Sequence, residues 1–174
     1  MFETQLGNLL TSITPQPIGN ITIDSLQDST QLVLDGTEQV FKFIEIPAGI
    51  LDVSDLLNVL SMFRVNNDNI TTKFYLNNTP DILGSPKQLL IYNQNSSRNI
   101  KLFFDFAVYD TTLKGWKSPV LNSVGTYGSI ASDEVSIDLD RSVKNYIVHT
   151  ISGTIGKIVN LTQFEVVRRR KYFN

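Results

Sequence analysis

The stretch Lys101-Leu102-Phe103-Phe104-Asp105-Phe106-Ala107-Val108-Tyr109 decides the fold. Successive side chains of a strand point to opposite faces, so Leu102, Phe104, Phe106 and Val108 share one side. Phe103, Ala107 and Tyr109 share the other with Lys101 and Asp105. A strand this apolar on both sides belongs near the middle of a sheet. Its first side is the expected centre of the core, with Val135, Ile137, Leu139 and Phe164 facing it.

Working outward, the neighbouring segments are short, alternating and bounded by turn residues. Ile21 to Leu26, Gln31 to Leu34, Val40 to Ile46, Lys73 to Leu76, Leu89 to Tyr92, Val135 to Leu139, Tyr146 to Ile151 and Ile158 to Val167 read as strands. Asp35-Gly36 is a hairpin signal that would join two antiparallel strands. Gly153-Thr154-Ile155-Gly156 reads as a turn between strands, since it lacks the Lys-Ser/Thr and helix of a phosphate loop. Many short strands with regular turns predict an all-β antiparallel sandwich, jelly-roll-like.

One segment carries a different period. In residues 52 to 64, Val53, Leu56, Leu57, Leu60 and Phe63 recur at helical spacing, with Asp52 placed as an N-cap and Asp55 in the first turn. The spacing predicts one short amphipathic helix over an open end of the sandwich. A weaker helical turn is expected near Thr4 to Leu10. Pro15 and Pro17 fix φ and remove two donors, so residues 11 to 20 read as extended chain. The expected organisation is an N-terminal arm over 1–20, a sandwich over 21–167 and a basic tail over 168–174.

The chain has 174 residues, no cysteine, 18% charged residues and a formal net charge of −2. Absence of cysteine excludes disulfides, thiolate nucleophiles, Cys-based zinc sites and iron–sulfur clusters. The near-neutral charge gives no push toward nucleic acid or anionic membrane, and nucleic acid is not an expected partner. No apolar run reaches the ~20 residues that span a bilayer, and the first residues lack the pattern of a signal peptide. Five Asn-x-Ser/Thr sequons are read as chance in a chain rich in those residues.

Catalytic signatures are missing. His149 is the only histidine, lies in a strand pattern and has no Gly-x-Ser-x-Gly elbow to serve, so it reads as a satisfied or exposed strand residue. Glu134, Ser136, Asp138 and Asp140 alternate with Val135, Ile137 and Leu139, which reads as a solvated face opposite a core face rather than a Ca²⁺ cage. No catalytic residue, cofactor or metal is expected. A glycosidase needs only two carboxylates and stays a distant third reading. Trp116, between Lys114 and Lys117, caps the core or stacks on a sugar or partner, with Tyr109 and Tyr127 as companion platforms. Arg168, Arg169, Arg170 and Lys171 concentrate positive charge for an acidic protein surface. Phe2, Leu6, Pro15 and Pro17 would strap the arm onto a neighbour.

Val135-Ser136-Ile137-Asp138-Leu139, Asn145 to Gly153 and Leu161-Thr162-Gln163-Phe164-Glu165-Val166 resemble the closing strands of a discoidin-type, galactose-binding-like jelly roll. The likeness covers a third of the chain, and Val148 stands where that family usually carries arginine. It implies a jelly roll and surface or carbohydrate binding, and transfers no binding residue. The Cys-free, Asn- and Thr-rich, low-charge β character is similar to that of phage and viral capsid, tail and baseplate proteins. Two functions follow as expectations. One is a non-enzymatic virion component, made in the host cytoplasm, that contacts other copies of itself and other structural proteins. The other is a carbohydrate-binding module at a cell surface or outside the cell.

Overall fold

The structure, a computed structural model, describes residues 20–26, 30–66, 69–95, 98–116 and 134–170. Among these, eleven strands form two antiparallel sheets and no helix occurs. The strands are β1 (Asn20–Leu26), β2 (Gln31–Val33), β3 (Gln39–Ile46), β4 (Leu56–Val65), β5 (Asn69–Asn77) and β6 (Lys87–Asn95). They continue as β7 (Arg98–Val108), β8 (Thr112–Trp116), β9 (Glu134–Asp138), β10 (Asn145–Gly153) and β11 (Ile158–Arg169). The larger sheet runs β1-β11-β4-β7-β8-β9, with β2 also on β11, and the smaller runs β3-β10-β5-β6. β1 and β2 share one edge of β11: β1 pairs with Phe164 to Arg169, β2 with Ile158 to Asn160.

The core forms where the two inner faces meet. Leu102, Phe104, Phe106 and Val108 are all buried, as the alternation requires. Ile137, Leu139 and Phe164 are buried too, but β7, β9 and β11 belong to one sheet, so these residues flank that face rather than oppose it. The opposing contacts come from the smaller sheet: Phe74 of β5 meets Phe104 edge-on with ring centres 4.9 Å apart. Alternation reveals which side of a strand is buried and is silent about which sheet covers it. Gly115 on β8 is required by this packing. A Cβ there would lie 2.4 Å from the Phe106 ring and 2.7 Å from the Asp105 carbonyl.

The expected helix at 52–64 is a turn followed by β4. Leu57, Val59, Ser61, Phe63 and Val65 point inward at period 2. The outward positions Leu56, Leu60 and Met62 are also apolar, so both periods can be drawn through one run. The choice is made by tertiary pairing, since β4 is bonded along its length to β11 on one side and β7 on the other. The two capping aspartates hold a tight turn instead, with the Asp52 N–H donating to the Asp55 carboxylate (2.7 Å) and Ser54 at φ 74°.

The Asp35-Gly36 turn is not a hairpin. β2 lies in the larger sheet and β3 in the smaller, so the turn carries the chain across the sandwich. Gly36 at φ 90° and the Asp35 carboxylate, which accepts from Thr37 N–H (2.8 Å) and hydroxyl (2.7 Å), make the bend. Residues 153 to 156 do form the turn between β10 and β11. Thr112 to Trp116, absent from the expected strands, is β8. The N-terminal helical turn at Thr4 to Leu10 lies outside the described residues.

Candidate functional site

Three places on the molecule gather chemically interesting side chains. The first is the outer face of the larger sheet. Period 2 carries Lys101, Phe103, Asp105 and Ala107 of β7 outward beside Leu56, Asn58, Leu60 and Met62 of β4. On the other flank of β4 lie Gln163, Glu165 and Val167 of β11. Phe103 is 42% exposed near the middle of this face. Leu56, Leu60, Met62, Ala107 and Val167 are half-buried around it. Asn58 donates its amide N–H to the Asp105 carboxylate, which turns its carbonyl oxygen away. Among the described residues that buried oxygen finds no donor.

The second is the outer face of the smaller sheet. Phe43 (44% exposed) meets Tyr146 edge-on at 5.9 Å. The Tyr146 hydroxyl donates to Glu45 (3.1 Å), which also pairs with Lys144 (3.1 Å). Beside them Glu38 accepts from Lys73 (2.6 Å), Tyr75 (2.8 Å) and Thr150 (2.6 Å). Burial alone would raise the Glu38 carboxyl, but those three hydrogen bonds outweigh it and hold it below the usual carboxylate range. The Lys73 ammonium is raised by its hydrogen bond to Glu38. A network this well satisfied braces β3, β10 and β5 together.

The third is an open cleft of about 490 Å³ lined by Lys87, Asp110, Thr111, Asp138, Leu139, Asp140, Arg141 and Ser142. Its carboxylates have partners within the chain. Asp110 pairs with Arg141 (3.0 Å), Asp138 with Lys87 (3.7 Å), and Asp140 accepts from the Ser142 hydroxyl (2.6 Å). Those hydrogen bonds from Ser142 lower the Asp140 carboxyl. Arg141 also donates to the Asp110 and Leu51 carbonyls, so this cluster staples loops. Among the described residues no group of three or more His, Cys, Asp or Glu gathers as metal ligands.

His149 lies in the core, not at a surface. It stacks on Phe74 (4.2 Å, 14°), with Phe41, Phe63 and Phe164 around it. Its ring bridges the sheets, with Nε2 2.6 Å from the Thr72 hydroxyl and Nδ1 3.4 Å from that of Ser61. The Thr72 hydroxyl spends its proton on the Thr150 carbonyl (2.9 Å), so it accepts from His149 and fixes the proton on Nε2. Burial pushes the imidazole down to about 3, so it is neutral and unfit for acid–base work at pH 7.

The expected partner residues are only partly placed. Arg168 is a correction: β11 runs on through Arg169, and Arg168 is buried rather than part of a free tail. Its Nε meets Asp55 (2.6 Å) and its Nη2 meets Asp52 (2.6 Å), joining the end of β11 to the turn before β4. Arg170 also reaches Asp52 (3.0 Å), while Arg169 is exposed on the strand. Phe2, Leu6, Pro15, Pro17, Tyr127 and Lys171 lie outside the described residues. Trp116 ends β8, with only its backbone described. Tyr109 is exposed with the Lys114 ammonium 5.2 Å from its ring centre, so the chain already supplies that ring with a cation. Phe103, Phe43 and Tyr146 were not singled out by sequence, although alternation already put Phe103 on the face opposite the core.

No protein-family model matches the chain, and no curated protein matches it in sequence. One similar solved structure is the CBM2 module of the evolved Dit of Lactobacillus casei BL23 phage J-1. The identity is 9% and the TM-score 0.41, over 75% of this chain and 70% of that one. Another is infectious bursal disease virus, Gx strain, at 11% identity and TM-score 0.22, over 87% of this chain and 41% of that one. Both likenesses are distant, and neither carries a residue or an activity over to this chain.

Proposed function

We propose that the chain is a non-enzymatic structural subunit of a larger assembly, a virion component of capsid, tail or baseplate type. The observation that carries this reading is the outer face of the larger sheet, where Phe103 is exposed among Leu56, Leu60, Met62 and Val167. An apolar cluster near the centre of a sheet face marks a contact surface. The polar clusters support the same reading, because each is spent on holding strands and loops together. The virion context rests on the Cys-free, low-charge, Asn- and Thr-rich composition. The test is the mass of the intact chain in solution. Species heavier than the 19.6 kDa chain, alone or with co-expressed partner proteins, support the reading, and a monomer under both conditions refutes it.

A second reading is favoured by Phe43 and Tyr146 on the smaller sheet. An exposed ring beside a carboxylate and an ammonium offers a sugar both an apolar face and hydrogen bonds. Glycan-array binding lost in Phe43→Ala would support this reading, and an intact chain that binds no glycan would remove it.

A further inference from the structure

We propose that the partner on the outer face of the larger sheet is a second copy of this chain, seated across a two-fold axis that crosses β7 at Phe103. This rests on the assembly reading above and specifies its partner.

Lys101, Phe103 and Asp105 stand on one face of β7 at successive period-2 positions, and all three are exposed. Two residues along a strand span about 6.6 Å, so the ammonium and the carboxylate flank the ring at roughly equal distances. A two-fold interface brings each residue's patch against the same patch inverted. With the axis in the interface and perpendicular to β7, Phe103 meets Phe103. Lys101 of each copy then meets Asp105 of the other, twice over. The cross-strand neighbours fit this placement. Leu60 lies directly beside Phe103 and stays at the apolar centre, and Met62 lies beside Lys101. Asp105 is already oriented by the Asn58 amide, so its carboxylate is held in place before a partner arrives.

The size also suits a dimer. The four strands β1, β11, β4 and β7 with part of β8 give a face roughly 33 Å by 19 Å from strand spacing and rise, on the order of 600 Å² per copy. The two copies together would bury about 1,200 Å², which meets the lower bound of specific interfaces.

The test uses two charge reversals in the intact chain, Lys101→Asp and Asp105→Lys, each checked by circular dichroism for a retained fold. In sedimentation equilibrium, each variant alone should self-associate about tenfold or more weakly than the natural chain, because like charges then oppose at both contacts. Mixed one to one, the two variants should recover a species of twice the 19.6 kDa chain mass, since both contacts between positions 101 and 105 again join opposite charges. An intact chain that associates while neither reversal weakens it would overturn the two-fold placement and leave the assembly reading standing. Variants that weaken association but fail to recover it on mixing would overturn it as well. An intact chain that is monomeric alone but assembles with co-expressed proteins would overturn the second-copy partner only.

Discussion

Acid should weaken this sandwich through His149 before most of its carboxylates are protonated. The imidazole is wholly buried among four phenylalanine rings, and burial lowers it from its ordinary value of 6.5 to about 3. In the unfolded chain it titrates near 6.5. Between those values the unfolded state binds the extra proton, so stability falls as pH falls. The contribution is fully present above pH 6.5 and is lost progressively down to about pH 3. From pH 7.5 to 4.5 the loss is about 2.5 kcal/mol at about 1.36 kcal/mol per unit of separation. For a chain of this length that corresponds to a fall in Tm of about 5–10 °C. The assay is urea unfolding followed by far-UV circular dichroism at both pH values. The control is His149→Leu, which removes the titrating group. That variant is less stable at pH 7.5 by about 1–3 kcal/mol for the lost hydrogen bonds, but its profile from 7.5 to 4.5 should be nearly flat. Glu38, Asp35, Glu45 and Asp140 all have lowered carboxyls, whose contribution is lost as pH falls through their folded values, mainly below about 4.5 and in both proteins alike. Parallel profiles for the two proteins would refute the reasoning.

Further outcomes follow from the packing and the ion pairs. Asp55→Ala leaves the buried Arg168 guanidinium without its buried partner and should cost about 3–5 kcal/mol in urea unfolding. Phe104→Ala empties the contact with Phe74 and should cost about 3–5 kcal/mol by the same measurement, a large part of a domain's stability. Gly115→Ala drives a methyl into the Phe106 ring and the Asp105 carbonyl and should lower Tm through overpacking of about 1–3 kcal/mol.

The architecture was legible wherever one face of a strand is polar or where both faces keep to period 2. β7 and β10 read correctly for that reason, and so did the burial of Leu102, Phe104, Phe106 and Val108. β4 did not. Its outward residues Leu56, Leu60 and Met62 are apolar as well as its inward ones, and Leu56 and Leu60 complete a helical stripe with Val53, Leu57 and Phe63. The feature that conceals the strand is therefore the feature on which the proposed contact surface rests. β8 was hidden by Gly115, which reads as a turn residue until the Phe106 ring is seen lying against it. Arg168 was hidden by its neighbours. Three arginines and a lysine in a row read as a basic tail for an acidic protein surface, and only the turn at Asp52 to Asp55, remote in sequence, shows that the first of them is structural. The role of His149 was half legible, since its strand was clear but its aromatic cage is assembled from β3, β4, β5 and β11.

The proposed assembly contact lies on the outer face of the larger sheet. Its most direct test is sedimentation equilibrium of the intact chain against Phe103→Asp, since Phe103 is 42% exposed and can be replaced without opening the core. The natural chain should give species above the 19.6 kDa monomer that fall back to the monomer mass in Phe103→Asp, with an unchanged circular dichroism spectrum. A variant that retains the fold and assembles as well as the natural chain would contradict the account.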